Sequence, residues 1–97
     1  MKHTKDDIVT ISKFDFEEVL TYAERYAIGR MTYAPHSVCG IINTQLPYLS
    51  DNTLKILRDD IAREIERGNL GGPTIDAPIW KKTYRNIVNE ISKRNAP

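Results

Sequence analysis

Cysteine is almost missing from this chain: Cys39 stands alone among 97 residues. No internal disulfide can form, so packing alone must hold the fold, and a reducing, cytoplasmic setting is expected. Histidine is as scarce, with only His3 and His36, and one cysteine beside them gives no metal-ligand cluster. Neither a metal nor a cofactor is expected. No apolar run approaches the roughly 20 residues that a membrane-spanning helix needs. The polar start Met1-Lys2-His3-Thr4-Lys5-Asp6-Asp7 lacks the apolar stretch of a signal peptide. An excess of one charge is also missing. Fourteen Lys and Arg against 13 Asp and Glu leave +1, too little to draw the whole molecule to nucleic acid or an anionic membrane.

The residues that are present read as one globular domain. An apolar fraction of 40% with 28% charged residues is that of an ordinary soluble protein. So short a chain buries only about 60–65% of its unfolded surface, and homo-oligomerisation is therefore expected to help it. Residues 1–13 read as an N-terminal arm whose β-prone run Ile8-Val9-Thr10-Ile11 has no second strand to pair with, and residues 14–97 as a single helical domain. Asp15, with Glu18 three residues on and the Phe14–Val19 pair, predicts the start of a first helix. Its apolar stripe is Phe16, Val19, Leu20, Ala23, Tyr26 and Ala27, and Gly29 ends it. Pro35 opens a second helix with a face of Val38, Ile41, Ile42 and Leu46, stopped by Pro47. Ser50 caps a third, stapled by Leu49 and Leu54, with Leu54, Leu57, Ile61 and Ile65 at helical spacing and an Asp59–Arg63 pair on its surface. The segment Gly68–Ile75 reads as a loop, with three glycines but without the G-x-x-x-x-G-K-[ST] order of a phosphate loop. Asp76 caps a last helix bearing Ile79, Trp80, Thr83, Tyr84, Ile87, Val88 and Ile91 on one side. The fold class expected is all-α, a small bundle of about four helices behind a short extended arm.

The polar chemistry gathers at one bend. Between the first two helices, Arg25, Tyr26, Arg30, Thr32, Tyr33, His36 and Ser37 fall within thirteen residues. Two guanidinium groups, four hydroxyl-bearing neighbours and helix-start amides are the parts of an anion site, and a tyrosine ring can stack on a base. Tyr22, Tyr26 and Arg30 recur every four residues, which stacks them along one edge. The competing reading is structural: Tyr26 and Tyr33 rim the core, and the arginines cap carbonyls of the ending helix.

Elsewhere the signals are weaker. Lys81, Lys82 and Arg85 on the last helix, with Trp80 beside them, form a candidate interface. The same basic face, with Asn43 and Gln45 on the second helix, is the basis of a nucleic-acid-binding alternative. Asp59, Asp60 and Glu64 carry the spacing of a divalent-ion site but read more simply as a solvated face paired with Arg58, Arg63 and Arg67. Cys39 reads as a small core residue. No nucleophile–base pair or catalytic carboxylate pair stands out, so no enzyme is expected.

The run Arg25-Tyr26-Ala27-Ile28-Gly29-Arg30-Met31-Thr32-Tyr33-Ala34, continuing to Val38 and Ile41, resembles a group of small bacteriophage and prophage proteins with an RYAxGRxTY signature. The likeness spans most of residues 20–85 and includes Arg63-Glu64-Ile65 through Trp80, with the short signature as its one specific motif. It implies phage origin, and small non-enzymatic phage proteins often counter host defence. The resulting expectation is an anti-defence protein that sequesters a phosphate-bearing, nucleotide-type immune signal at the Arg25–Ser37 junction. The alternative is a protein inhibitor of a host nuclease or CRISPR effector, bound through charged helix faces.

Overall fold

The last residues of the arm already prepare the first helix. Ser12 has extended backbone angles, and its hydroxyl accepts the Asp15 amide at 3.1 Å. Its carbonyl takes the Phe16 amide at 2.9 Å. In the computed structural model, which describes residues 8–30, 32–67 and 77–96, α1 therefore runs Lys13–Ala27. The cap lies one turn earlier than Asp15, because Ser12 can accept from its own third neighbour while Asp15 adds its charge to the first turn. With the cap displaced, Phe14 and Val19 do not staple anything and are 73% and 63% exposed. Gly29 terminates the helix in the left-handed region, φ 77°, as its position predicts.

The other elements are α2 (Ala34–Gln45), a 3-10 turn (Leu46–Tyr48), α3 (Asp51–Glu66) and α4 (Ala77–Asn95). No strand occurs among the described residues, and the all-α bundle is as expected. Pro35 occupies the first turn of α2. α2 ends at Gln45 with Leu46 as its cap, and Pro47 follows inside the 3-10 turn. Ser50 caps α3 through the Thr53 amide at 3.3 Å. The loop expected over 68–75 and the Asp76 cap lie outside the described residues.

Helix α4 packs on α2 and α3, and α1 closes over α2 and α3. Leu20, Cys39, Ile42, Leu54, Leu57, Ile61, Trp80 and Ile87 make the buried centre. Each of its larger aliphatic side chains contributes roughly 1.5–3 kcal/mol by leaving water. Val19, Tyr26 and Ile41, predicted on buried faces, instead lie on the surface. The apolar stripe of α1 is narrower than its sequence, and Glu24 takes a position on it.

Polar side chains fix how the helices meet. Glu17 on α1 accepts both the amide and the hydroxyl of Ser50, at 2.6 and 2.9 Å, joining one helix to the N-terminus of another. Arg94 on α4 reaches Glu90 and Asp51, each at 2.9 Å, and the Leu46 carbonyl at the same distance. Asn43 donates to the buried Thr83 hydroxyl at 3.2 Å and accepts from Asn86 at 3.1 Å, closing a polar bridge between α2 and α4.

Candidate ligand site at the junction of the first two helices

The bend between α1 and α2 is organised by Arg30. Its Nε donates to the Tyr26 carbonyl at 2.7 Å, closing an orphan acceptor at the helix end. Its guanidinium carbon lies 4.3 Å from the centre of the Tyr26 ring, a cation–π stack. The four-residue spacing of the two side chains thus persists past the helix terminus. Among the described residues, the two terminal guanidinium nitrogens of Arg30 make no hydrogen bond.

Arg25 is not brought to Arg30. Its Nε donates to Asp60 on α3 at 2.9 Å, and that hydrogen bond, with the carboxylate charge behind it, holds the Arg25 proton more firmly than usual. Thr32 spends its hydroxyl on the Ala34 amide at 3.1 Å. The Ser37 amide donates to the Tyr33 carbonyl at 3.2 Å, and Pro35 has no N–H. The helix-start amides expected to serve an anion are therefore largely occupied, and the open donors here belong to side chains. Tyr33 is 88% exposed, Tyr26 is 58% exposed, and His36 and Ser37 are also on the surface. Neither tyrosine is a core residue. The first turn of α2 contains no acid to repel an anion.

The second candidate surface divides. Lys81, Lys82 and Arg85 are exposed, but Trp80 is wholly buried and belongs to the core. Trp80 follows the apolar stripe of α4 inward, where its large ring removes the most surface from water. Asn43 is engaged with Thr83 and Asn86, which removes one of the two residues offered for base reading.

The acidic face of α3 is less solvated than its pattern indicates. Asp59 pairs with its neighbour Arg58 at 2.8 Å and Glu64 with Arg67 at 3.3 Å. Asp60 turns inward, only 8% exposed, to Arg25, with Arg63 3.8 Å from its other oxygen. The expected Asp59–Arg63 pair is replaced by these contacts. No group of three or more metal-ligating side chains occurs among the described residues.

Compared with known protein families, curated proteins and solved structures, the chain matches none. The site is therefore read from its own residues. Glu24, absent from the predicted site, was signalled by spacing alone: Leu20, Glu24 and Ala27 fall at i, i+4 and i+7, one face of a helix. Burial, with Asp60 beside it, raises the Glu24 carboxyl from 4.5 to about 9.

Proposed function

We propose that this chain is a non-enzymatic binding protein that captures a phosphate-bearing ligand of nucleotide type at the junction of α1 and α2. The observation that carries the reading is Arg30. Its Nε and its π face are both engaged by Tyr26, so the guanidinium is held in place while its terminal nitrogens have no partner among the described residues. A guanidinium ordered in advance loses less freedom when it grips a phosphate. Tyr33, three residues on and largely exposed, offers a ring for a base, and His36 and Ser37 supply further polar contacts at the acid-free start of α2.

The setting proposed is a phage countering host defence in the bacterial cytoplasm, with the ligand an immune signal. The support for that setting is the resemblance of the Arg25–Ala34 signature. A thermal-shift series with mono-, di- and cyclic nucleotides, run on the wild type and on Arg30→Ala, tests the ligand. A shift in the wild type that the variant loses supports the reading; equal shifts in both overturn it.

A second reading has its own observation. Lys81, Lys82 and Arg85 stand exposed along α4, which fits a protein that docks on a host nuclease or CRISPR effector. Reversing those three charges would then abolish capture of the effector with Arg30 untouched.

A further inference from the structure

Glu24 lies where an ionised acid has no hydrogen-bond donor to hold it. Its side chain is fully buried between α1 and α3. It borders a small cavity of about 180 Å³ with Arg25, Ile28, Asp60, Arg63 and Glu64. As a carboxylate, Glu24 has no hydrogen-bond donor at either oxygen. The cations of that face close on other acids: Arg25 and Arg63 on Asp60, Arg67 on Glu64. As a carboxylic acid, Glu24 has the Asp60 side chain to donate to, beside the Arg25–Asp60 hydrogen bond.

We propose that Glu24 and Asp60 form a carboxyl pair sharing one proton, and that this proton is an alkali-sensitive latch between α1 and α3. Both Glu24 oxygens are buried without a hydrogen-bond partner, and no three-ligand metal cluster is present among the described residues. The groups facing Glu24 are Arg25 on its own helix and Asp60, Arg63 and Glu64 on α3. The only titratable residues of α2, the other helix packed on α1, are His36, exposed at its start, and Cys39, buried in the core. Desolvation, then the hydrogen bond and charge of Asp60, raise the Glu24 carboxyl to about 9. Two buried carboxylates side by side repel each other, so one member of such a pair keeps its proton.

Loss of the proton has a mechanical consequence. Two negative charges would then face each other in a site with little water. The Glu24 carbonyl accepts the Ile28 amide at 3.0 Å, so a backbone shift that relieves the repulsion loosens the last turn of α1. That turn also carries Arg25 and leads into Arg30. The latch is independent of the ligand reading, since neither Glu24 nor Asp60 belongs to the proposed ligand site.

The test is a carbon-13 NMR titration of the glutamate side-chain carboxyls in the intact chain from pH 4 to 10. Thermal melts and amide exchange at Ile28 accompany it. One glutamate is expected to titrate several pH units above the rest, with Ile28 exchange rising beyond its intrinsic base catalysis over the same range. Glu24 titrating with the surface glutamates would overturn the proposal. Glu24→Gln keeps a donor toward Asp60 but has no proton to lose, so its melting temperature should fall less steeply from pH 6 to 9 than that of the wild type. Parallel slopes in the two proteins would also overturn it. If Glu24→Gln does not fold, Asp60→Asn takes its place: it must move the Glu24 midpoint downward, and an unmoved midpoint counts against the shared proton.

Discussion

Single side chains here do work that their residue type alone does not announce. Arg30 is both a helix cap and the open donor of the proposed site, so its substitutions separate the two roles. Arg30→Lys keeps a charge but loses the planar stack on Tyr26, and Arg30→Ala loses both. At a hundredfold excess over Kd, a bound ligand adds about 2.7 kcal/mol to stability. That increment, measured by thermal shift, should shrink in Arg30→Lys and vanish in Arg30→Ala. Gly29 offers a second residue-scale check. An added Cβ would meet nothing within 4 Å, so only the positive φ of 77° opposes a side chain. Gly29→Ala should therefore cost about 1 kcal/mol in chemical denaturation, and Gly29→Asn less. Glu24 sets the pH response. Its raised carboxyl favours the protonated fold, so that contribution is whole below about 4.5 and is lost as the pH rises toward about 9. Within that window stability should decline with pH by at most about 1.4 kcal/mol per unit, and Glu24→Gln should remove this part of the slope.

At the scale of elements, the helices begin and end where short-range hydrogen bonds permit. The sequence pattern marks Asp15 as the cap of α1 because Glu18 completes a box three residues on. The structure settles on Ser12, which starts α1 three residues earlier and leaves Phe14 in solvent. Ser12→Ala should cost about 1 kcal/mol, and Asp15→Ala less, since Asp15 then loses only a charge near the helix start. Ser50 is plainer from sequence, but its second partner is not. Glu17 lies thirty-three residues earlier and holds both the Ser50 amide and its hydroxyl. Removing Ser50 therefore strikes a cap and an interhelix link together. In a double-mutant cycle, Ser50→Ala and Glu17→Gln should show a coupling of roughly 0.5–3 kcal/mol rather than simple additivity.

For the whole molecule, the bundle rests on a short list of fully buried side chains and on polar ties at its ends. Leu57 is wholly enclosed in α3, and Leu57→Ala should cost about 2–5 kcal/mol of unfolding free energy. Reversing Lys81, Lys82 and Arg85 should change stability little, because all three stand in solvent. That contrast makes the charge-reversed variant a clean probe of docking: an unchanged melt with lost effector capture points to α4 as the contact face.

What the chain's own order determined is local. Helical periodicity placed Leu54, Leu57 and Ile61 on one face and Trp80, Thr83 and Ile87 on another, and these residues are buried. Ser50, Pro35 and Gly29 marked their turns because capping, a fixed φ and a positive φ are properties of a few neighbouring residues. The four-residue step from Tyr26 to Arg30 likewise foretold their stack. Tertiary structure alone decided which polar groups meet across the bundle. Asp60 abandons the helix surface for Arg25, Asn43 turns to Thr83 and Asn86, and Glu24 is sealed against α3. Those partners lie 35 to 43 residues apart along the chain where a hydrogen bond joins them. No periodicity encodes such a meeting; it follows from how two helices cross once their apolar faces have closed.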